Sequence, residues 1–170
     1  SLDRLYEATG RWNELAEVLG MEIEGAADPE QSLHFQFRLG QTAQLRLNDL
    51  DRAVAQYRDI LSAAPEHAPA LMALEGLFAA GVRPMPIAEI LEPLYRMQEA
   101  WEKLLELHEV QLHFVTDRDE RVRLMHRMAE IAEDRLADGG LAFTCFQRAL
   151  LESPLDEQSL GDCERLAGLL

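Results

Sequence analysis

The chain has 170 residues, 48% of them hydrophobic, enough for a substantial core; many Leu, Ala, Glu and Arg with only seven prolines and 6% aromatics predict helix almost throughout. A formal charge of −15 argues against nucleic-acid phosphates and anionic lipid as partners, since both require a basic footprint. No apolar run approaches the roughly 18 residues that span a bilayer, no basic-then-apolar leader opens the chain, and Cys145 and Cys163 are too few for a disulfide framework and too far apart for a CxxC site.

Ser1 to Thr9 reads as the second half of a helix, with Leu2, Leu5 and Tyr6 on one face and no cap before it, as expected for a piece cut from a longer array. After a turn at Gly10-Arg11, Trp12, Leu15, Leu19 and Ile23 recur at helical spacing. Asp28 is placed to cap the next helix and Pro29 to occupy its first turn, with Leu33, Phe37, Gly40, Ala43 and Leu47 following along it. Asn48-Asp49 ends that helix. Asp51 stands near the start of the next, whose inward face is Ala53, Val54, Tyr57, Ile60 and Leu61 until Pro65 stops it. A further helix is expected over residues 66–80, with Leu71, Leu74, Leu77 and Phe78 inward. Residues 81–86, GVRPMP, are the strongest punctuation and predict a bend between stacked units. Ile87, Ile90, Leu91 and Leu94 then resume a helical period, interrupted by Pro93, which must kink the helix or open a new one; the break is the preferred reading.

From Leu91 onward the first half repeats without net insertion, 89 residues on. Leu5-Tyr6 and Trp12 return as Leu94-Tyr95 and Trp101, Asp28 as Asp117, Arg38 as Arg127, Ala43 as Ala132, and Arg46-Leu47 as Arg135-Leu136. Ala53, Tyr57, Leu61, Pro65, Leu71 and Leu77 return as Ala142, Phe146, Leu150, Pro154, Leu160 and Leu166. The reading is one continuous helical domain with duplicated halves over about 2–80 and 91–169. The register places Cys163 at the apolar position of Leu74, predicting a buried thiol, and Cys145 at that of Gln56, predicting partial exposure. Two free thiols fit reducing, cytoplasmic surroundings.

The stretches Phe37 to Pro65 and His126 to Pro154 resemble tetratricopeptide repeats. That family places small residues along its first helix, here Gly40 and Ala43, or Ala129 and Ala132. Its second helix carries a small residue, an aromatic and a terminating proline, here Ala53, Tyr57 and Pro65, or Ala142, Phe146 and Pro154. The early tryptophan of the family's first helix is absent, and the flanking hairpins keep only the hairpin plan. The chain is also similar to long bacterial proteins in which units like LYEATGRWNELAEVL alternate with such repeats. The resemblance implies an all-α, right-handed α-α superhelix of about ten antiparallel stacked helices. Its first helices would line a concave groove that holds a peptide or helix of a protein partner.

Transferring the family's groove positions gives His34, Phe37, Gln41 and Gln44 in the first copy, and Arg123, His126, Glu130 and Glu133 in the second. Phe37 is the expected anchor, since its counterpart is His126 and the position need not be core. The Lys and Asn that the carboxylate-clamping members use are replaced by Phe37, Gln41 and Glu130, which argues against the acidic chaperone tail as ligand. No catalysis, cofactor or metal is expected. His108 and His113 stand five apart where a zinc-protease helix requires four, and His108 takes the packing position of Leu19. No glycine-rich phosphate loop or nucleophile elbow is present. A structural spacer or self-associating element is the alternative to a peptide binder.

Overall fold

The computed structural model describes residues 2–169; Ser1 and Leu170, with the expectations attached to them, lie outside the described residues. Those residues form ten α-helices and no strand: α1 Leu2–Thr9, α2 Trp12–Glu24, α3 Pro29–Thr42, α4 Leu50–Ala63, α5 Ala68–Ala79, α6 Pro84–Met97, α7 Trp101–Phe114, α8 Arg118–Asp134, α9 Gly139–Glu152 and α10 Glu157–Ala167. A single π-type turn over Ala43–Leu47 extends α3.

The sequence repeat is also a repeat of helix boundaries. Trp12 and Trp101, Pro29 and Arg118, Leu50 and Gly139, and Ala68 and Glu157 all open helices, each pair 89 residues apart. Aspartates explain most of this register, because their carboxylates accept from backbone amides that the first helical turn leaves without partners. Asp28 accepts from the Gln31 N–H at 2.8 Å and its counterpart Asp117 from Glu120 at 2.8 Å. Asp49 and Asp138 do the same for Arg52 and Leu141. The cap of α4 is therefore Asp49 and not Asp51, whose carboxylate instead binds the Arg83 guanidinium at 2.7 and 2.8 Å.

Turn geometry repeats as well. Asn48 and Ala137 both adopt φ of 53°, and the N–H two residues after each helix-ending turn reaches back to Ala43 or Ala132 at 2.9 or 2.8 Å. Asn tolerates this left-handed backbone; alanine there is strained.

The chain divides into two compact units between Arg83 and Pro84, within the bend expected at residues 81–86. In the first unit each helix from α1 to α5 packs on the next, and Leu15, Ala16 and Leu19 of α2 meet Leu39 of α3 in its core. In the second, α6 to α10 pack in the same order, and α7 to α10 share a core around Met125, Met128, Ala129, Phe146 and Cys163.

Two expectations need correction. Helix α6 runs uninterrupted through Pro93. Pro93 and Glu89 lie on its exposed side, so the carbonyl that loses its i+4 donor is open to water, while Ile87, Ala88, Leu91, Leu94 and Tyr95 keep the opposite side buried. Cys145 is buried at 1% exposure, not partly exposed. Arg148 reaches from α9 to Glu109 on α7 at 2.8 and 2.9 Å beside it, and burial pushes the thiol pKa up. Cys163 is buried as expected.

Candidate interaction surface

Helix α3 approaches α4 closely because Gly40 faces the Tyr57 ring. A Cβ at Gly40 would stand 2.7 Å from a ring carbon, well inside van der Waals contact. Tyr57 is fully buried, its hydroxyl donates to Gln44 Oε1 at 2.8 Å, and burial pushes its pKa up to about 12. In the second unit Ala129 and Phe146 occupy the same positions, both buried. The small-residue and aromatic pattern seen in the sequence is thus the contact surface of each helix pair.

The eight candidate residues separate into two groups. Phe37 is half-buried, with its ring centroid 5.8 Å from Tyr57 and 5.5 Å from His67, the residue that caps α5. His126 fills the equivalent place against Phe146 at 5.6 Å. Its Nε2 lies 3.0 Å from Asp156, the cap of α10, and 2.7 Å from Ser159 Oγ. Both rings wedge a first helix against the start of the helix after its partner, so Phe37 is not a free aromatic. Gln44 is engaged by Tyr57, and Glu133 by the Arg165 guanidinium at 2.6 and 2.8 Å, which holds the Glu133 carboxyl below its ordinary pKa.

The other four face solvent. His34 and Gln41 are exposed on α3, and Arg123 and Glu130 on α8. Arg123 pairs along its own helix with Glu120 at 2.7 Å, an exposed contact that water and salt screen.

A cleft of about 140 Å³ that the groove transfer did not anticipate lies in the first unit between α1, α2 and the end of α3. Glu7, Trp12, Arg38, Gln41, Leu45 and Arg46 line it. Arg38 is held by Asp3 at 2.6 Å and Glu7 at 3.2 Å, whereas the Arg46 guanidinium lies over the Trp12 ring at 4.7 Å. Arg135 stacks on Trp101 at 5.0 Å in the second unit. The recurrence of Trp12 with Arg46 as Trp101 with Arg135 was the sequence's sign of this contact.

The histidines do not converge. No three His, Cys, Asp or Glu side chains among the described residues are grouped to hold a metal ion. His113 is exposed, its Nδ1 2.9 Å from its own helix's Glu109 carbonyl. His108 is fully buried, with Nδ1 2.8 Å from Gln111 Oε1 and no partner at Nε2. Burial lowers its pKa, against the opposing effects of the Gln111 bond and the Glu92 charge. The unfolded imidazole protonates near pH 6.5 while the folded one stays neutral to lower pH, so stability is present above that value and falls as pH drops below it. The variant His108→Leu, which copies Leu19, should lose less stability than the parent between about pH 7.5 and about pH 5.5 in urea unfolding. Equal losses would show that His108 does not set the acid response.

No helix among the described residues is long and apolar enough to cross a membrane. No protein-family model and no curated protein matches the chain.

Proposed function

We propose that this chain is a non-enzymatic interaction scaffold of the tetratricopeptide-like, superhelical α-solenoid type, holding a peptide or helix of a partner protein along its first helices. The carrying observation is the duplicated helix pair. Gly40 against Tyr57 and Ala129 beside Phe146 reproduce the packing logic of that repeat, and Pro65 and Pro154 follow closely on the ends of α4 and α9. That packing leaves His34, Gln41, Arg123 and Glu130 exposed on α3 and α8, chemically varied and open to a ligand. The buried free thiols fit a reducing, cytoplasmic setting.

Capture from the source cell's lysate should be compared between the parent chain and a His34→Ala, Gln41→Ala, Arg123→Glu, Glu130→Arg variant whose helicity by circular dichroism is unchanged. A partner held by the parent and lost by the variant is the expected result. A partner held equally by both would place binding elsewhere.

A spacer or self-associating role is the second reading, favoured by Leu151, Leu155 and Leu169, exposed at 84%, 92% and 74%. It requires a mass by light scattering that rises with concentration, where a monomeric peptide binder stays constant.

A further inference from the structure

We infer that the cleft between α1, α2 and the end of α3 seats an internal segment of a partner carrying an acidic side chain beside an aliphatic or aromatic one. This rests on the reading of the chain as a peptide-binding scaffold and names the chemistry of what it binds. Size is the first argument. At about 140 Å³ the cleft matches a cavity that takes one benzene-sized group and falls below the roughly 300 Å³ at which small-molecule sites begin. It therefore suits a single anchoring side chain better than a cofactor.

Charge is the second. The chain has 31 acidic residues against 16 basic ones, yet Arg46 has no carboxylate partner among the described residues; its contact is the face of Trp12. Stacking holds the guanidinium in place while leaving its N–H edge able to bind a carboxylate in two parallel hydrogen bonds. Arg38, two turns back along the same helix, is already bound by Asp3 and Glu7, so Arg46 is the lining guanidinium that presents its edge to a carboxylate.

The third argument is the contrast between copies. At the rim, Gln41 and Leu45 stand where the second copy has Glu130 and Asp134. Leu45 is 66% exposed, an apolar side chain held in water beside Arg46, and it supplies the apolar half of the site. Carboxylates at those two positions would repel an acidic ligand, so only the first copy suits one. The net negative charge of the whole chain opposes such a ligand at long range. At physiological salt that field is screened beyond about 8 Å, and the contact at Arg46 decides.

Glu and Asp are accommodated at these positions in the second copy, so a Gln41→Glu, Leu45→Asp variant should fold normally while closing the site. The probe is a displayed dodecapeptide library fused through its C-terminus, panned against the whole chain, with enriched sequences resynthesised as C-terminal amides. The expected outcome is a consensus of Asp or Glu within two residues of Leu, Ile, Phe or Met, bound about tenfold or more weakly by the double variant and by Arg46→Ala. Arg135→Ala should leave affinity unchanged. Peptides that bind both variants as well as the parent would overturn this site while leaving the scaffold reading intact. A consensus appearing only in a library with free C-termini would overturn the internal segment, and no enrichment in either library would overturn both readings.

Discussion

Replacing Tyr57 by alanine is expected to cost about 3–5 kcal/mol, because the ring is fully buried and two helices close on it. The companion change, Gly40→Ala, separates two opposing effects. Alanine is the better helix former by about 1 kcal/mol, but its methyl would sit 2.7 Å from a ring that burial and the Gln44 bond hold in place. Overpacking of this kind costs about 1–3 kcal/mol, so the substitution should destabilise on balance. Adding Tyr57→Phe should recover part of that loss, since the second copy already pairs Ala129 with Phe146 and the freed ring can shift. Urea unfolding followed by circular dichroism measures all three, and a stabilising Gly40→Ala would show that the close approach is not limiting. The phenol adds an alkaline prediction. Its folded pKa of about 12 exceeds the unfolded value near 10, so stability is intact below pH 10 and falls as pH rises toward 12. Tyr57→Phe should remove that component of the fall.

The second large effect is a gain. Pro93→Ala should stabilise the second unit by about 2 kcal/mol: a proline inside a helix costs about 3 kcal/mol, and about 1 kcal/mol of the gain is returned because alanine loosens the unfolded chain. The site is favourable for the change, since Pro93 is exposed and its counterpart Arg4 lies in a regular helix. A higher urea midpoint with an unchanged slope is expected; no change, or a loss, would mean that the open Glu89 carbonyl carries no penalty.

Helix order and register were legible in the sequence because their determinants are local. Asp28 and Asp117 read as caps from their position alone, and the 89-residue spacing carried the starts of α2 to α5 onto those of α7 to α10. Pro93 was misread because propensity speaks for a break, whereas the buried row from Ile87 to Tyr95, a tertiary quantity, holds the helix together. Cys145 was misplaced by its register to Gln56, which gives the direction of a side chain but not what reaches over it. The candidate site was less legible for the same reason. A groove pattern marks residues on one side of a helix, and Phe37, Gln44, His126 and Glu133 lie on that side yet are held by α4, α5, α9 and α10. The recurrence of Trp12 and Arg46 as Trp101 and Arg135 marks these residues in the sequence, but their pairing spans 34 residues and takes its geometry from the placement of both helices.

Within each unit, helices pack chiefly on their neighbours in the chain, and this fixes how the molecule comes together. Chain closures between consecutive helices are short, the entropy lost before each contact forms is small, and such topologies fold in microseconds to milliseconds. The same arrangement distributes failure. A helix at the edge of a unit packs within that unit on one sequential neighbour, so it opens more readily than the interior pairs, and exchange of its amides should precede that of the helices around Tyr57 and Phe146.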